Sequence, residues 1–276
     1  RGVNSPVVYF IVQILPYIAL TIFVFGLLYR LGRWAAARLL GTSHEITLAP
    51  FPQTPFQAGW IFIREIALFR NLFFFEPALW VGAWPMHIAL FMVLGGHAVG
   101  FYFLGEQFVY LGMSPELSKF MSNLLGSVFG LIVLAGLIYL LVRRAAVERV
   151  RLVSNPSDYL HLVLLIAIVT IGDIMRYFPQ YGMHYEEVQE YFKALIFFQP
   201  VPEFVFHNVF FILHLLCVQI LMIVFPFSKL VHLFGMFALR WIENRVHTDP
   251  EPGLPNVDVA AARAKGTGLP TAGGAA

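Results

Sequence analysis

Nine histidines are the residues of this chain best suited to chemistry: His44, His87, His97, His161, His184, His207, His214, His232 and His247. An imidazole can ligate a metal, relay a proton or sit hydrated at a surface. His44, His184 and His247 fall in polar loops or in the tail, where a hydrated surface role suits them. His161 stands at the edge of an apolar segment, an ordinary interfacial position. The other five lie within, or at the ends of, two long apolar stretches. Ionisable groups at membrane depth are disfavoured and usually functional, so these five define the candidate chemistry.

The elements that position them belong to a membrane protein. The chain is 59% hydrophobic and 12% charged, with a mean hydropathy of +0.74. Soluble domains carry about twice that charge. A net charge of +2 gives no basis for nucleic-acid binding. The single cysteine, Cys217, excludes an intrachain disulfide, and no C-x-x-C-H motif offers a covalent haem attachment. Five segments, at about 7–29, 79–104, 120–142, 158–178 and 206–228, approach the roughly 20 apolar residues that a helix needs to cross a bilayer. Helices are expected because lipid offers the backbone no partners. The fold class is therefore an all-α integral membrane bundle of five spans over residues 1–246. The first segment, too long for a signal-peptide core and without a small-residue cleavage site after it, reads as a span.

Basic residues predict the orientation. The loops after spans 1 and 3 and the tail after span 5 hold fourteen of the eighteen lysines and arginines, leaving Arg1, Lys119, Arg176 and Lys193 on the other side. The positive-inside bias places the N-terminus outside and the C-terminus in the cytoplasm of a cell with an inner (cytoplasmic) membrane. Residues 41–78 contain an apolar stretch with Arg64, Glu65 and Arg70, expected to lie along the cytoplasmic interface or dock a partner. Residues 179–205 form an outer loop with an acidic run. Residues 247–276, rich in Pro, Gly and Ala, read as a disordered or extended cytoplasmic tail.

With that orientation the histidines sort into pairs. His87 and His97 are ten residues apart, about 15 Å of helix rise; His214 and His232 are eighteen apart. The two spans run in opposite directions. His97 and His214 therefore share the outer half, and His87 and His232 the cytoplasmic half. Each pair can bind one iron axially from facing helices; a transporter's proton relay and another kind of metal site are the alternatives. Eighteen residues of unbroken helix would span about 27 Å, so a bend at Pro226 is expected. Gly95, Gly96 and Gly100 leave room beside His97 for a flat macrocycle. His207, seven residues before His214, competes for the outer ligand position or suits a hydrogen bond to a quinone.

The strings Trp84-Pro85-Met86-His87 and Phe225-Pro226-Phe227-Ser228-Lys229-Leu230-Val231-His232, with both histidine spacings, resemble the cytochrome b (gamma) subunit of respiratory nitrate reductases. The resemblance runs over about residues 5–240. Ser154-Asn155-Pro156-Ser157-Asp158-Tyr159, Gly172-Asp173-x-x-Arg176 and the Glu187–Pro200 stretch look more like the membrane cytochrome b subunit of the sulfite-reduction-associated Dsr complex, within sulfur metabolism. The resemblance implies two non-covalent b-type haems with bis-histidine ligation, at His97–His214 and His87–His232. It also implies electron exchange between menaquinone and a cytoplasmic iron–sulfur subunit, heterodisulfide-reductase-like or nitrate-reductase-beta-like, with terminal catalysis on another subunit. A periplasmic multihaem cytochrome c and a second membrane subunit are further implied partners. A quinone site beside the outer haem would draw on Lys119, which lies one position from a lysine linked to quinol binding in that family, and on Asp173, Arg176 and His207. Asp173 and Arg176, one turn apart, equally suit a structural ion pair.

Overall fold

A computed structural model describes residues 6–39 and 54–243, and every long element in it is a helix. Five helices are long and apolar enough to cross a membrane: Pro6–Ala36, Pro77–Phe103, Pro115–Ala146, Pro156–Tyr177 and Val209–Phe227. The anticipated number holds, and the ends move where local chemistry moves them. The third span begins at Pro115 because the Ser114 hydroxyl caps it, accepting from the Leu117 N–H at 3.3 Å. The fifth begins at Val209 because Asn208 Oδ1 accepts from Phe211 N–H at 2.9 Å. The preceding residues, Glu203–His207, form a separate 3₁₀ turn.

The described residues divide into two compact units. One comprises the five spans and their connections, from Pro6 through the first span and from Phe69 to Leu233; the other joins the helix Pro55–Leu68 to the chain from Phe234 onward. In the second unit the rings of Phe62 and Phe237 meet at 6.3 Å between centroids, and Glu65 is buried. The tail from His247, and His44, lie outside the described residues.

Within the first unit the spans pack in the order second, third, fourth, fifth, first. Small residues set the close approaches, as expected where lipid removes any hydrophobic drive between helices. A Cβ at Gly136 would come 2.5 Å from Met86 Cβ, and one at Gly82 would overlap the Tyr139 ring. Tyr139 then donates to the Ala78 carbonyl at 2.6 Å. Gly26 of the first span admits Pro226, whose Cβ would stand 2.7 Å from an added Cβ. The Phe225-Pro226-Phe227 motif is thereby seated on the first span.

Two ends can be told apart, the Pro6 end and the Ala36 end. At the Pro6 end the helix Tyr185–Ile196 packs back onto the bundle. Its Tyr191 is fully buried and donates to the Val12 carbonyl at 2.9 Å; burial pushes the phenol well above its ordinary range. Val12 belongs to a π-helical turn, Phe10–Ile14, inside the first span. The widened ladder of such a turn presents carbonyls to other partners, and buried Gln219 of the fifth span takes a second one, Ile11, at 3.0 Å. Sequence reading treated this region as an outer loop. Its alternation of Tyr191 and Leu195 with charged residues is the signal that marks it as a docked amphipathic helix.

Candidate functional site

The second and fifth spans do not share a close backbone interface among the described residues. They face one another through their histidines. His97 and His214 stand with ring centroids 6.4 Å apart and planes within 3° of parallel. His87 and His232 stand 6.0 Å apart with planes at 81°. The structure thus brings together the two pairs expected from spacing. His207, exposed at the end of its own 3₁₀ turn, does not join them.

The hydrogen bonds of the four rings are alike. Nδ1 lies against a backbone carbonyl in each: Ala83 for His87 at 2.7 Å, Val93 for His97 at 2.7 Å, Ile168 for His214 at 3.0 Å and Lys229 for His232 at 2.9 Å. A carbonyl only accepts, so Nδ1 carries the proton and Nε2 keeps its lone pair. That is the tautomer, and the fixed ring, that a metal-ligating imidazole needs.

The local sequence explains how the rings are held. His87 and His97 sit on helix and bond the carbonyl one turn back. His214 reaches across to the fourth span, where Gly172 clears its path: a Cβ there would lie 3.2 Å from His214 Cε1. His232 follows a break. Phe225–Phe227 is a 3₁₀ turn, Ser228 is extended, and Lys229–Val231 is a second 3₁₀ turn. This break falls at Pro226, where a bend is expected, and interrupts the helix between His214 and His232. Phe69, held at a left-handed φ of 50°, places its ring 5.2 Å from that of His87. Left-handed backbone is disfavoured by about 1–2 kcal/mol for a residue with a side chain, and such strain concentrates at functional sites.

A bis-imidazole haem can be tested against this geometry. Two metal–nitrogen bonds of about 2.0 Å, with about 1.1 Å from nitrogen to ring centre on each side, put the centroids about 6.2 Å apart. Both observed spacings match. Among the described residues no three His, Cys, Asp or Glu side chains converge as a metal site. Two facing imidazoles suit a group whose macrocycle would supply the remaining ligands. A Cβ at Gly95 or Gly96 would meet nothing within 4 Å, so there is clearance beside His97. Gly100 differs from expectation. It is buried, and its missing Cβ makes way for the Tyr185 ring at 3.4 Å.

Near the Pro6 end lie all four residues expected around a quinone. Lys119 pairs with Glu106 at 3.2 Å and Glu186 at 3.9 Å. Arg176 donates to Asn123 Oδ1 at 2.9 Å, and the Tyr185 hydroxyl reaches the same oxygen at 3.2 Å. An Asp173–Arg176 ion pair is therefore not what occupies the guanidinium. Asp173 instead lies against Gly130 of the third span, and its Oδ2 is buried with no hydrogen-bond partner. His207 enters none of these contacts. Asn123 and Tyr185 were missed by sequence reading; an asparagine inside an apolar helix was the available signal for the first.

Comparison with known proteins agrees with this architecture. Residues 72–247 match the family described as nitrate reductase gamma subunit. The chain is 30% identical over 256 residues to the Hdr-like menaquinol oxidoreductase cytochrome b-like subunit of Archaeoglobus fulgidus, covering 81% of this chain and 76% of that one. The protein of the same description from Archaeoglobus profundus is 28% identical, with 89% and 84% covered. The nitrate reductase gamma chain of Bacillus subtilis is 27% identical, with 81% and 89% covered. Five apolar spans, two cross-span histidine pairs and these matches together identify the chain as a multi-pass membrane protein belonging to the nitrate reductase gamma subunit family.

Proposed function

We propose that this chain is the dihaem cytochrome b subunit of a membrane oxidoreductase, exchanging electrons between menaquinol or menaquinone and a cytoplasmic iron–sulfur subunit. The observation that carries the reading is the repeated geometry of four imidazoles, each with Nδ1 on a carbonyl and paired across spans at 6.0 and 6.4 Å. His97 with His214 would hold one haem b and His87 with His232 the other. Bound haem supplies one-electron storage at each position. The chain supplies ligands of fixed tautomer, held on apolar spans.

The positive-inside bias puts the Ala36 end in the cytoplasm. Arg143, Arg144, Arg149, Arg151 and Lys229 gather at that end, whereas Glu106, Glu186, Glu187 and Glu190 lie at the Pro6 end. A menaquinol oxidised near the Pro6 end gives up two protons and two electrons. The unpartnered Asp173 carboxyl oxygen is placed to take a proton there, and Lys119 with Glu106 and Glu186 continues toward the outer surface. Electrons then leave through the His87–His232 end. Two of the relatives carry the description Hdr-like menaquinol oxidoreductase, which favours a heterodisulfide-reductase-like cytoplasmic partner over a molybdenum-type one. Additional membrane or periplasmic subunits would complete the assembly.

A reduced-minus-oxidised visible spectrum of the purified protein tests this directly. A b-type alpha band and two haems per chain by pyridine haemochrome are expected. A colourless protein would sink the haem reading and leave the histidines as a proton relay in a transporter.

A further inference from the structure

One buried carboxylate lies outside the ligand pairs and ties three spans together beside one of them. Asp158, in the first turn of the fourth span, is 7% exposed. Its Oδ2 accepts from Lys229 Nζ at 2.8 Å, from Arg144 Nη1 at 3.0 Å and from its own helix-capping partner, the Asn155 N–H, at 3.0 Å. Arg144 closes the third span. Lys229 lies in the broken segment between Pro226 and His232, and its carbonyl accepts the His232 Nδ1–H. The Ser228 hydroxyl takes the Leu230 N–H at 3.1 Å, so this short segment is pinned from both sides.

We infer that Asp158 is a positioning residue for the His232 ligand, acting through Lys229, and that it sets the reduction potential of the haem held there. The inference rests on the dihaem reading above. Lys229 has two functions on one residue: its ammonium is anchored by Asp158 while its carbonyl orients the ring. A 3₁₀ turn of three residues does not hold itself rigid, so the anchor at the side chain fixes the carbonyl. The fourth span carries no ligand, yet it supports both ligands of the chain's last span and its extension, His214 through the Ile168 carbonyl and His232 through Asp158. The anion, itself buried, also offsets two partly exposed cations. Reduction adds an electron at the iron. Removing a nearby negative charge favours the reduced form, and removing a nearby positive charge disfavours it.

The test compares Asp158→Asn, Asp158→Glu and Lys229→Met in membranes containing the intact complex. It uses redox titration of the alpha band and low-temperature electron paramagnetic resonance of the ferric haems. Asp158→Asn should raise the midpoint potential of one haem and move its resonance signal, leaving the other haem unchanged. Lys229→Met should move the same signal and shift that potential the opposite way. Asp158→Glu should restore the wild-type values. If Asp158→Asn fails to accumulate, Lys229→Met still decides, since it keeps the backbone carbonyl that accepts from His232 and removes the ammonium that Asp158 anchors. Unmoved signals and potentials in a wild-type-like dihaem protein would overturn the inference. So would equal shifts of both haems. Absence of haem from the wild type would instead remove the functional reading beneath it.

Discussion

At the scale of single residues, the ligand imidazoles make the sharpest expectations. His97→Ala or His214→Ala should each remove the same one of two haems, read as a halving of the alpha band with one redox wave kept. Loss at His207→Ala would instead reassign the ligand. Gly172 gives a graded version of the same test. Its Cβ would stand 3.2 Å from His214 Cε1, so Gly172→Ala should perturb the spectrum of that haem and Gly172→Val should abolish it. The identity of the ligand candidates was legible in the sequence, because a histidine within apolar helix has few bland explanations. Their tautomer was not. Which carbonyl accepts from each Nδ1 depends on turns and on a neighbouring span. For His214 that carbonyl, Ile168, is 46 residues away.

Among elements, the first span is held at two separate points, by the Phe225-Pro226-Phe227 turn at Gly26 and by the docked helix Tyr185–Ile196 at Val12. Gly26→Leu should push Pro226 away and lower the midpoint of thermal unfolding in detergent, with loss of the His232-side haem before the other. Tyr191→Phe keeps the ring and removes one buried hydrogen bond to Val12. A loss of about 1 kcal/mol is expected, measured by thermal shift or by hydrogen exchange at the first span. The spans themselves were readable from hydropathy, and their ends were missed by a few residues because Ser114 and Asn208 caps decide them. The docked helix was not recognised as such. Its amphipathic pattern is short, and its buried face becomes meaningful only when the π-helical turn of the first span offers carbonyls to Tyr191 and Gln219.

For the whole molecule, orientation has the largest consequence for the proposed function, since it would decide on which side quinol protons leave. It is open to direct measurement. In a background with Cys217 replaced by serine, a cysteine at Glu190 should react with a membrane-impermeant maleimide in intact cells. One at Leu152 should react only after the membrane is opened. The reverse pattern would overturn the assignment and place the Lys119 cluster in the cytoplasm. Both positions are exposed, so accessibility within the fold does not confound the result.

By itself the amino-acid sequence determined the solvent of this protein, the number of its spans and the four imidazoles available to a cofactor. Each follows from local composition: the chain is too apolar for water, and histidines in such segments are too few to be incidental. Tertiary structure alone decided which nitrogen each histidine presents and which residues brace the rings. Those depend on contacts between distant segments. Asp158 meets Lys229 across 71 positions of chain, and Gly26 of the first span meets Pro226 at the end of the fifth. Spacing along one helix narrows such encounters without fixing them, because bends, caps and the depth of a glycine groove set the final ångströms.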